Sequence, residues 1–221
     1  MIKAVIFDLD QTLVDFVRMK KASCDIAMHS MIDAGLKISH EEGMKTLFEL
    51  YKVYGMEYQT IFQEFLNRTM GGVDHRILAQ GILAYRKVRN AFLIPYPGVT
   101  KTLIELKTKG IKLAIVSDAP RLKAWMRLCA LGLDDFFDVV ITHDDTGMHK
   151  PSELPFKAAL EKLQLKPEDC IMIGDHPDRD VKGARALGIK TVLAKYGCIF
   201  ESQEKADHEI NKIEELLSLI Q

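Results

Sequence analysis

The chain has 221 residues, with 30 Lys and Arg against 31 Asp and Glu, so its formal net charge at pH 7 is −1. This balance argues against a dedicated nucleic-acid surface, which would carry a basic excess. No stretch approaches the run of about eighteen apolar residues that marks a membrane-spanning helix. The N-terminus predicts a strand and not a leader, and the four cysteines form no CxxC pair that would indicate a zinc site. We therefore expect a cytoplasmic protein, a monomer or homodimer, whose partner is a small molecule.

The chain begins with an apolar run from Ala4 to Phe7, which predicts a strand buried on both faces of a sheet. Asp8 and Asp10 follow two residues apart, so in an extended backbone both side chains leave on the same face. Two carboxylates this close need a counter-charge, and Mg2+ is the usual partner of such a pair together with a substrate phosphate. An Asp-rich turn at the end of a strand is the alternative interpretation.

Between residues 16 and 94 the apolar residues recur at helical spacing in four segments, which predicts a small helical bundle. Met44, Leu47, Phe48 and Tyr51 form the clearest stripe. Glycines separate the segments, as they often do at helix ends. Amphipathic stripes of this kind indicate a packed core and not a cofactor-binding site.

From Pro95 onward, apolar runs alternate with helical segments, which predicts right-handed crossover units and a parallel sheet. The runs place strands at 111–116, 139–141, 170–173 and 190–194, and the spacing predicts a final amphipathic helix over 210–220. Asp118 is the expected N-cap of the helix after the second strand. The predicted fold is α/β, a Rossmann-like parallel five-stranded sheet with an inserted helical bundle. Residues 1–15 and 95–221 would form the α/β domain, and residues 16–94 the helical domain.

In a parallel sheet the carboxyl ends of the strands lie along one edge, where ligands bind. Ser117, Lys150 and Asp175 follow later strands, so we expect them to meet Asp8 and Asp10 at that edge. Together these residues suit phosphoryl transfer, in which an enzyme mainly positions the group and neutralises its charge. Mg2+ would bridge carboxylate and phosphate oxygens. Ser117 and the amides of the next helix would bind phosphate, and Lys150 would offset the negative charge.

Four short motifs in this chain resemble the signature motifs of the haloacid dehalogenase-like hydrolases. They are Asp8-Leu9-Asp10-Gln11-Thr12-Leu13, Ser117 after a strand, Lys150-Pro151, and Gly174-Asp175 followed by Asp180. The motifs span the whole chain, and residues 16–94 lie where many members carry a helical cap that sets specificity. The resemblance implies a Mg2+-dependent phosphatase that acts on a small phosphorylated metabolite, such as phosphoglycolate or a sugar phosphate.

The resemblance also implies a role for each motif residue. Asp8 would be the nucleophile that forms an aspartyl-phosphate, and Asp10 would be the general acid and then the general base. The metal ligands would be the Asp8 side chain, the Asp10 backbone carbonyl and Asp175, supported by Asp180. The residues that would bind or orient the phosphate and the nucleophile are Thr12, Ser117, Asp118 and Lys150.

Three alternatives stay open at this point. A phosphomutase would pass the phosphoryl group to a second sugar hydroxyl instead of to water. A 2-haloacid dehalogenase would use the first aspartate to displace halide from carbon, but such members lack an acid at the position of Asp10. A non-catalytic binding protein could use the same fold, since fold does not determine function.

Overall fold

The computed structural model describes residues 1–220 and divides them into two compact units. The α/β unit comprises Met1–Phe16 and the chain from Ile94 onward, and the helical unit comprises Val17–Leu93. Among the residues that the structure describes, no helix combines the length and the apolar character that crossing a membrane requires.

The first strand, β1 (Ala4–Phe7), is followed by four helices. These are α1 (Phe16–Asp33), α2 (His40–Tyr54), α3 (Ile61–Met70) and α4 (His75–Phe92). The chain then alternates through α5 (Val99–Thr108), β2 (Lys112–Val116), α6 (Arg121–Leu131), β3 (Val139–Ile141), a short α7 (His143–Thr146) and α8 (Glu153–Leu163). It continues through a 3-10 turn (Pro167–Asp169), β4 (Cys170–Gly174), a π-helical turn (Pro177–Val181), α9 (Lys182–Ala186), β5 (Lys190–Ala194), β6 (His208–Ile210) and a 3-10 helix (Ile213–Leu219).

Within residues 1–220, six strands pair in parallel, in the order β3-β2-β1-β4-β5-β6. This confirms the predicted parallel α/β class, although the sheet has six strands and not the expected five. Strand β1 lies between β2 and β4, with Phe7 opposite Ile115 on one side and Ile173 on the other. The strand order reverses between β1 and β4, and such a switch point is where ligands bind in open α/β sheets.

The central strands form the core because their side chains are apolar on both faces. Every residue of β1 is fully buried. Ile6, Ala114 and Met172, from three adjacent strands, pack in one cluster with Phe156 of α8. Since burying a large apolar side chain stabilises a fold by about 1.5–3 kcal/mol, this cluster fixes the positions at which the strands end.

The helical unit has its own core, built from the apolar stripes of its helices. Met28 of α1, Leu47 of α2 and Phe65 of α3 are fully buried in one cluster. Ser39 and Asp74 cap the starts of α2 and α4 by accepting backbone N–H groups. The stripes are therefore packing surfaces, as their spacing predicted.

The C-terminal segment differs from the prediction, because residues 210–220 do not form an α-helix. His208–Ile210 forms β6 beside β5, and Ile213–Leu219 forms the 3-10 helix. Asp207 fixes this chain segment against β5, since its carboxylate accepts hydrogen bonds from the Thr191 N–H and hydroxyl. A 3-10 helix also brings residues three apart onto one face, so the apolar spacing did not distinguish the two helix types.

Phe156→Ala should lower the free energy of unfolding by about 3–5 kcal/mol, because the buried ring leaves a cavity that its neighbours fill only in part. Leu154→Ala is the matched control on the same helix. Its side chain is half-exposed, so we expect a change below about 0.5 kcal/mol. Urea unfolding followed by circular dichroism measures both values, and equal losses in the two variants would contradict this account of the core.

Candidate active site

Two carboxylates lie at the carboxyl ends of the two strands that flank the switch point. Asp8 follows β1, and its N–H donates to the carbonyl of Ile173 at 2.9 Å, which extends the strand pairing by one residue. Asp175 follows β4 and is also buried. Thr12 Oγ1 lies 3.5 Å from Asp8 Oδ2 and 3.5 Å from Asp175 Oδ1. The loop after β1 therefore brings Thr12 against both carboxylates.

Asp180 from the π-helical turn completes a carboxylate cluster. Asp8, Asp175 and Asp180 are all buried, and each offers an oxygen within 4.8 Å of the other two. A Cβ atom at Gly174 would lie 2.3 Å from Cγ of Asp180, so the close approach of this carboxyl group requires glycine at that position. Asp180 is held in turn by the backbone N–H of His176, which donates to its Oδ2 at 3.0 Å.

The ammonium group of Lys150 lies among these carboxylates. Its Nζ is 2.5 Å from Asp8 Oδ1 and 2.6 Å from Asp180 Oδ1, and it donates a hydrogen bond to the carbonyl of Val116 at 3.0 Å. The side chain is only 3% exposed, so water screens these pairs very little. Burial alone would lower the pKa of Lys150, but the carboxylates of Asp180 and Asp8 raise it above its usual range. The lysine is therefore charged.

Three ionised carboxylates would carry more negative charge than Lys150 neutralises. Burial raises the pKa of Asp8 to about 7, against the opposing effect of Lys150. Burial, Asp8 and Asp180 together raise the pKa of Asp175 to about 9. Both shifts arise because desolvated anions near one another are costly. A divalent cation would stabilise the ionised forms, and carboxylate oxygens are the ligands that Mg2+ prefers, so this donor set fits Mg2+.

Asp10 pairs with an arginine that the sequence analysis did not identify. Nη1 of Arg127 lies 3.1 Å from Asp10 Oδ2, and the guanidinium group lies over the ring of Phe16 at 4.4 Å. Arg127 is buried on α6, in the same stripe as Ala124 and Leu128. A charged residue within an otherwise apolar helical stripe was the sequence signal that could have indicated it.

Ser117 and Asp118 follow β2 and have different contacts. The Ser117 hydroxyl oxygen accepts a backbone N–H at 3.2 Å, so its proton stays available to donate to a ligand. Asp118 Oδ1 accepts the backbone N–H of Lys150 at 2.9 Å and joins the two loops. The expected helix cap is wrong, because Asp144 and not Asp118 accepts the N–H of Arg121 at the start of α6.

The predicted site residues differ in how close they lie to the carboxylate cluster. Those whose side chains lie within the cluster or against it are Asp8, Thr12, Lys150, Asp175 and Asp180. Asp118 is joined to the cluster through the backbone of Lys150. Ser117 is buried at the end of the neighbouring strand, and Asp10 faces Arg127.

Known proteins are similar to this chain along its whole length. The family model described as haloacid dehalogenase-like hydrolase matches residues 5–194, which include every residue of the cluster. A glyceraldehyde 3-phosphate phosphatase from Methanocaldococcus jannaschii is 39% identical over 222 residues, which cover 100% of this chain and 97% of the relative. A phosphatase of the same name from Pyrococcus furiosus is 35% identical, and the match covers 100% of this chain and 93% of the relative. The crystal structure of a HAD phosphatase from Thermococcus onnurineus superposes on this structure with a TM-score of 0.69; HAD abbreviates the family name. The two chains are 26% identical, and the match covers 99% of this chain and 97% of that one.

Lys150→Met should lower the free energy of unfolding of the metal-free protein by about 3–5 kcal/mol, because it leaves two buried carboxylates without their cation. Lys157→Met is the matched control. It removes a solvent-exposed pair with Glu153, and exposed pairs contribute about 0–1 kcal/mol. Urea unfolding in EDTA measures both, and a loss at Lys150 no larger than at Lys157 would refute the charge balance described above.

Proposed function

The chain belongs to the haloacid dehalogenase-like hydrolase family, and we propose that this phosphatase-type member hydrolyses a small phosphate monoester through an aspartyl-phosphate on Asp8. The observation that carries the proposal is the buried cluster of Asp8, Asp175 and Asp180, in which Lys150 pairs with Asp8 and Asp180. Such a cluster offers an anionic nucleophile beside fixed positive charge. Transfer of a phosphoryl group, whose own oxygens are anionic, requires this combination.

The proposed substrate is glyceraldehyde 3-phosphate. Two relatives that align over the full length of this chain carry that activity in their names. The carboxylate and lysine groups of the cluster recognise the phosphate and the reacting bond, which all small phosphate monoesters share. A comparison of turnover among three-carbon phosphates, sugar phosphates and phosphoglycolate therefore tests the substrate separately from the chemistry.

The proposed cofactor is Mg2+, held by the Asp8 side chain, Asp175 and the backbone carbonyl of Asp10. Asp180 supports this arrangement through its ion pair with Lys150. When bound, Mg2+ would supply positive charge that stabilises the phosphoryl group in the transition state. The proposal rests on the oxygen donors of the cluster and on the charge that its ionised carboxylates would leave uncompensated.

In the first proposed step, a carboxylate oxygen of Asp8 attacks phosphorus, and the bond between phosphorus and the leaving alcohol oxygen breaks. Lys150 orients Asp8 by holding Oδ1, and the Ser117 hydroxyl donates to a phosphate oxygen. Asp10 gives its proton to the leaving oxygen. Asp10 enters this step in its protonated form, which the negative charge of the bound phosphate favours against the opposing effect of Arg127.

In the second proposed step, water attacks the phosphorus of the aspartyl-phosphate. Asp10, now ionised, accepts a proton from this water, and the bond between phosphorus and Asp8 breaks. Inorganic phosphate leaves, and both aspartates return to their starting states. The pair with Arg127 suits this step, because it stabilises the ionised form of Asp10 that acts as the base.

Asp8→Asn should reduce phosphate release from glyceraldehyde 3-phosphate by at least about a thousandfold, because an amide is a poor nucleophile. Asp135→Asn, which changes an exposed aspartate, is the control and should keep the parent rate. EDTA should abolish release by the parent protein, and added Mg2+ should restore it. A colorimetric phosphate assay measures all three. A parent rate in Asp8→Asn, or halide release from a 2-haloacid without phosphate release, would refute the proposal.

Asp10→Asn should separate the two steps. With p-nitrophenyl phosphate, whose leaving group needs no proton, the first step should survive while hydrolysis of the aspartyl-phosphate slows by about a hundredfold or more. We expect a burst of p-nitrophenol of one equivalent per chain and a covalent phosphate detectable by intact-mass measurement. Asp8→Asn should show neither signal. Slow turnover without burst or phosphoenzyme would assign Asp10 a different role.

A further inference from the structure

We propose a second metal site, for a transition-metal ion of the Zn2+ class, formed within the helical unit by Asp25, His29 and His40. The three side chains offer ligand atoms that all lie within 4.8 Å of one another. Asp25 and His29 are four residues apart on α1, so they lie one turn apart on the same helix face. His40 is the first residue of α2 and supplies the third ligand. An ion held by all three would join α1 to α2.

The distances within this group are close to those of a metal site. His40 Nε2 lies 3.0 Å from Asp25 Oδ1. The rings of His29 and His40 are stacked with their centroids 4.2 Å apart and their planes 20° apart. A tetrahedral ion with ligand distances of about 2.0–2.1 Å places its donors about 3.3 Å from one another. His29 is exposed, so a small rotation of its side chain completes the site.

The group also contains a nitrogen without a hydrogen bond. His40 Nε2 is shielded from solvent, and its contact with Asp25 Oδ1 at 3.0 Å lacks hydrogen-bond geometry. A metal ion between the two groups would take both of them as ligands. Metal binding requires both imidazoles in their neutral form.

The ligand types select the class of metal. Two imidazoles and one carboxylate favour Zn2+, Co2+ or Ni2+ over Mg2+, which prefers oxygen ligands. Three protein ligands leave one position of a tetrahedral ion for water. Lys21 and Asp25 line an open cavity of about 450 Å3 together with Met44 and Phe48. Because Lys21 lines the same cavity as Asp25, we expect removal of its positive charge to strengthen cation binding.

The test uses the full chain with saturating Mg2+, so that the carboxylate cluster is occupied. Zn2+ is added in a calorimetric titration, and Co2+ is followed by its visible absorption, which reports coordination geometry. We expect one equivalent of Zn2+ per chain and a tetrahedral Co2+ spectrum. His29→Ala and His40→Ala should each weaken binding by at least about tenfold. His75→Ala, an exposed histidine at the start of α4, is the matched control and should bind as the parent does.

Two further readouts separate metal binding from a structural role of these histidines. Zn2+ should raise the melting temperature of the parent protein and of His75→Ala, but not that of His29→Ala. The side chain of His29 is exposed, so we expect His29→Ala to fold as the parent does. Lys21→Met should bind Zn2+ more tightly than the parent. Parent affinity in both His29→Ala and His40→Ala, or a Zn2+-dependent rise in melting temperature that persists in His29→Ala, would overturn the proposal. The absence of any Zn2+ binding in saturating Mg2+ would overturn it as well.

Discussion

The ion pairs of the Lys150 ammonium with Asp8 and Asp180 are the interaction on which the candidate active site depends. An ionised carboxylate costs several kcal/mol to bury even in a relaxed protein interior. Three buried carboxylates in contact would protonate or separate without a cation among them. One ammonium group does not balance three ionised carboxylates, and a divalent cation would compensate the difference. Stability and chemistry at this edge of the sheet therefore have the same electrostatic origin.

The geometry of the cluster follows from the sheet beneath it. Strands β1 and β4 are adjacent and parallel, with Phe7 opposite Ile173, so Asp8 and Asp175 leave the sheet at neighbouring strand ends. The loops then add the other groups through specific contacts. Asp118 binds the backbone of Lys150, and Gly174 makes room for Asp180. Because the strands are buried in apolar packing, the loops start from fixed positions, as a preorganised site for charge stabilisation requires.

The pairing of Asp10 with Arg127 gives the site a second electrostatic feature. The arginine is buried, and its guanidinium group is supported by the ring of Phe16. A fixed cation beside Asp10 favours the ionised carboxylate, whereas the proposed first step uses the protonated acid. The charge of the substrate phosphate opposes that of Arg127, so arrival of the substrate would shift Asp10 towards the form that the reaction needs.

The sequence by itself determined the class of fold, the strand ends at which the charged residues lie, and the family, because buried parallel strands are continuous apolar runs and the motifs follow them directly. It did not determine the sixth strand or the C-terminal 3-10 helix, since β6 forms through pairing with β5 and through the contact between Asp207 and Thr191. Only the tertiary structure placed Arg127 against Asp10 and His40 against Asp25. These partners lie far apart along the chain or on different helices. Their contacts depend on how whole elements pack, and local spacing does not encode that packing.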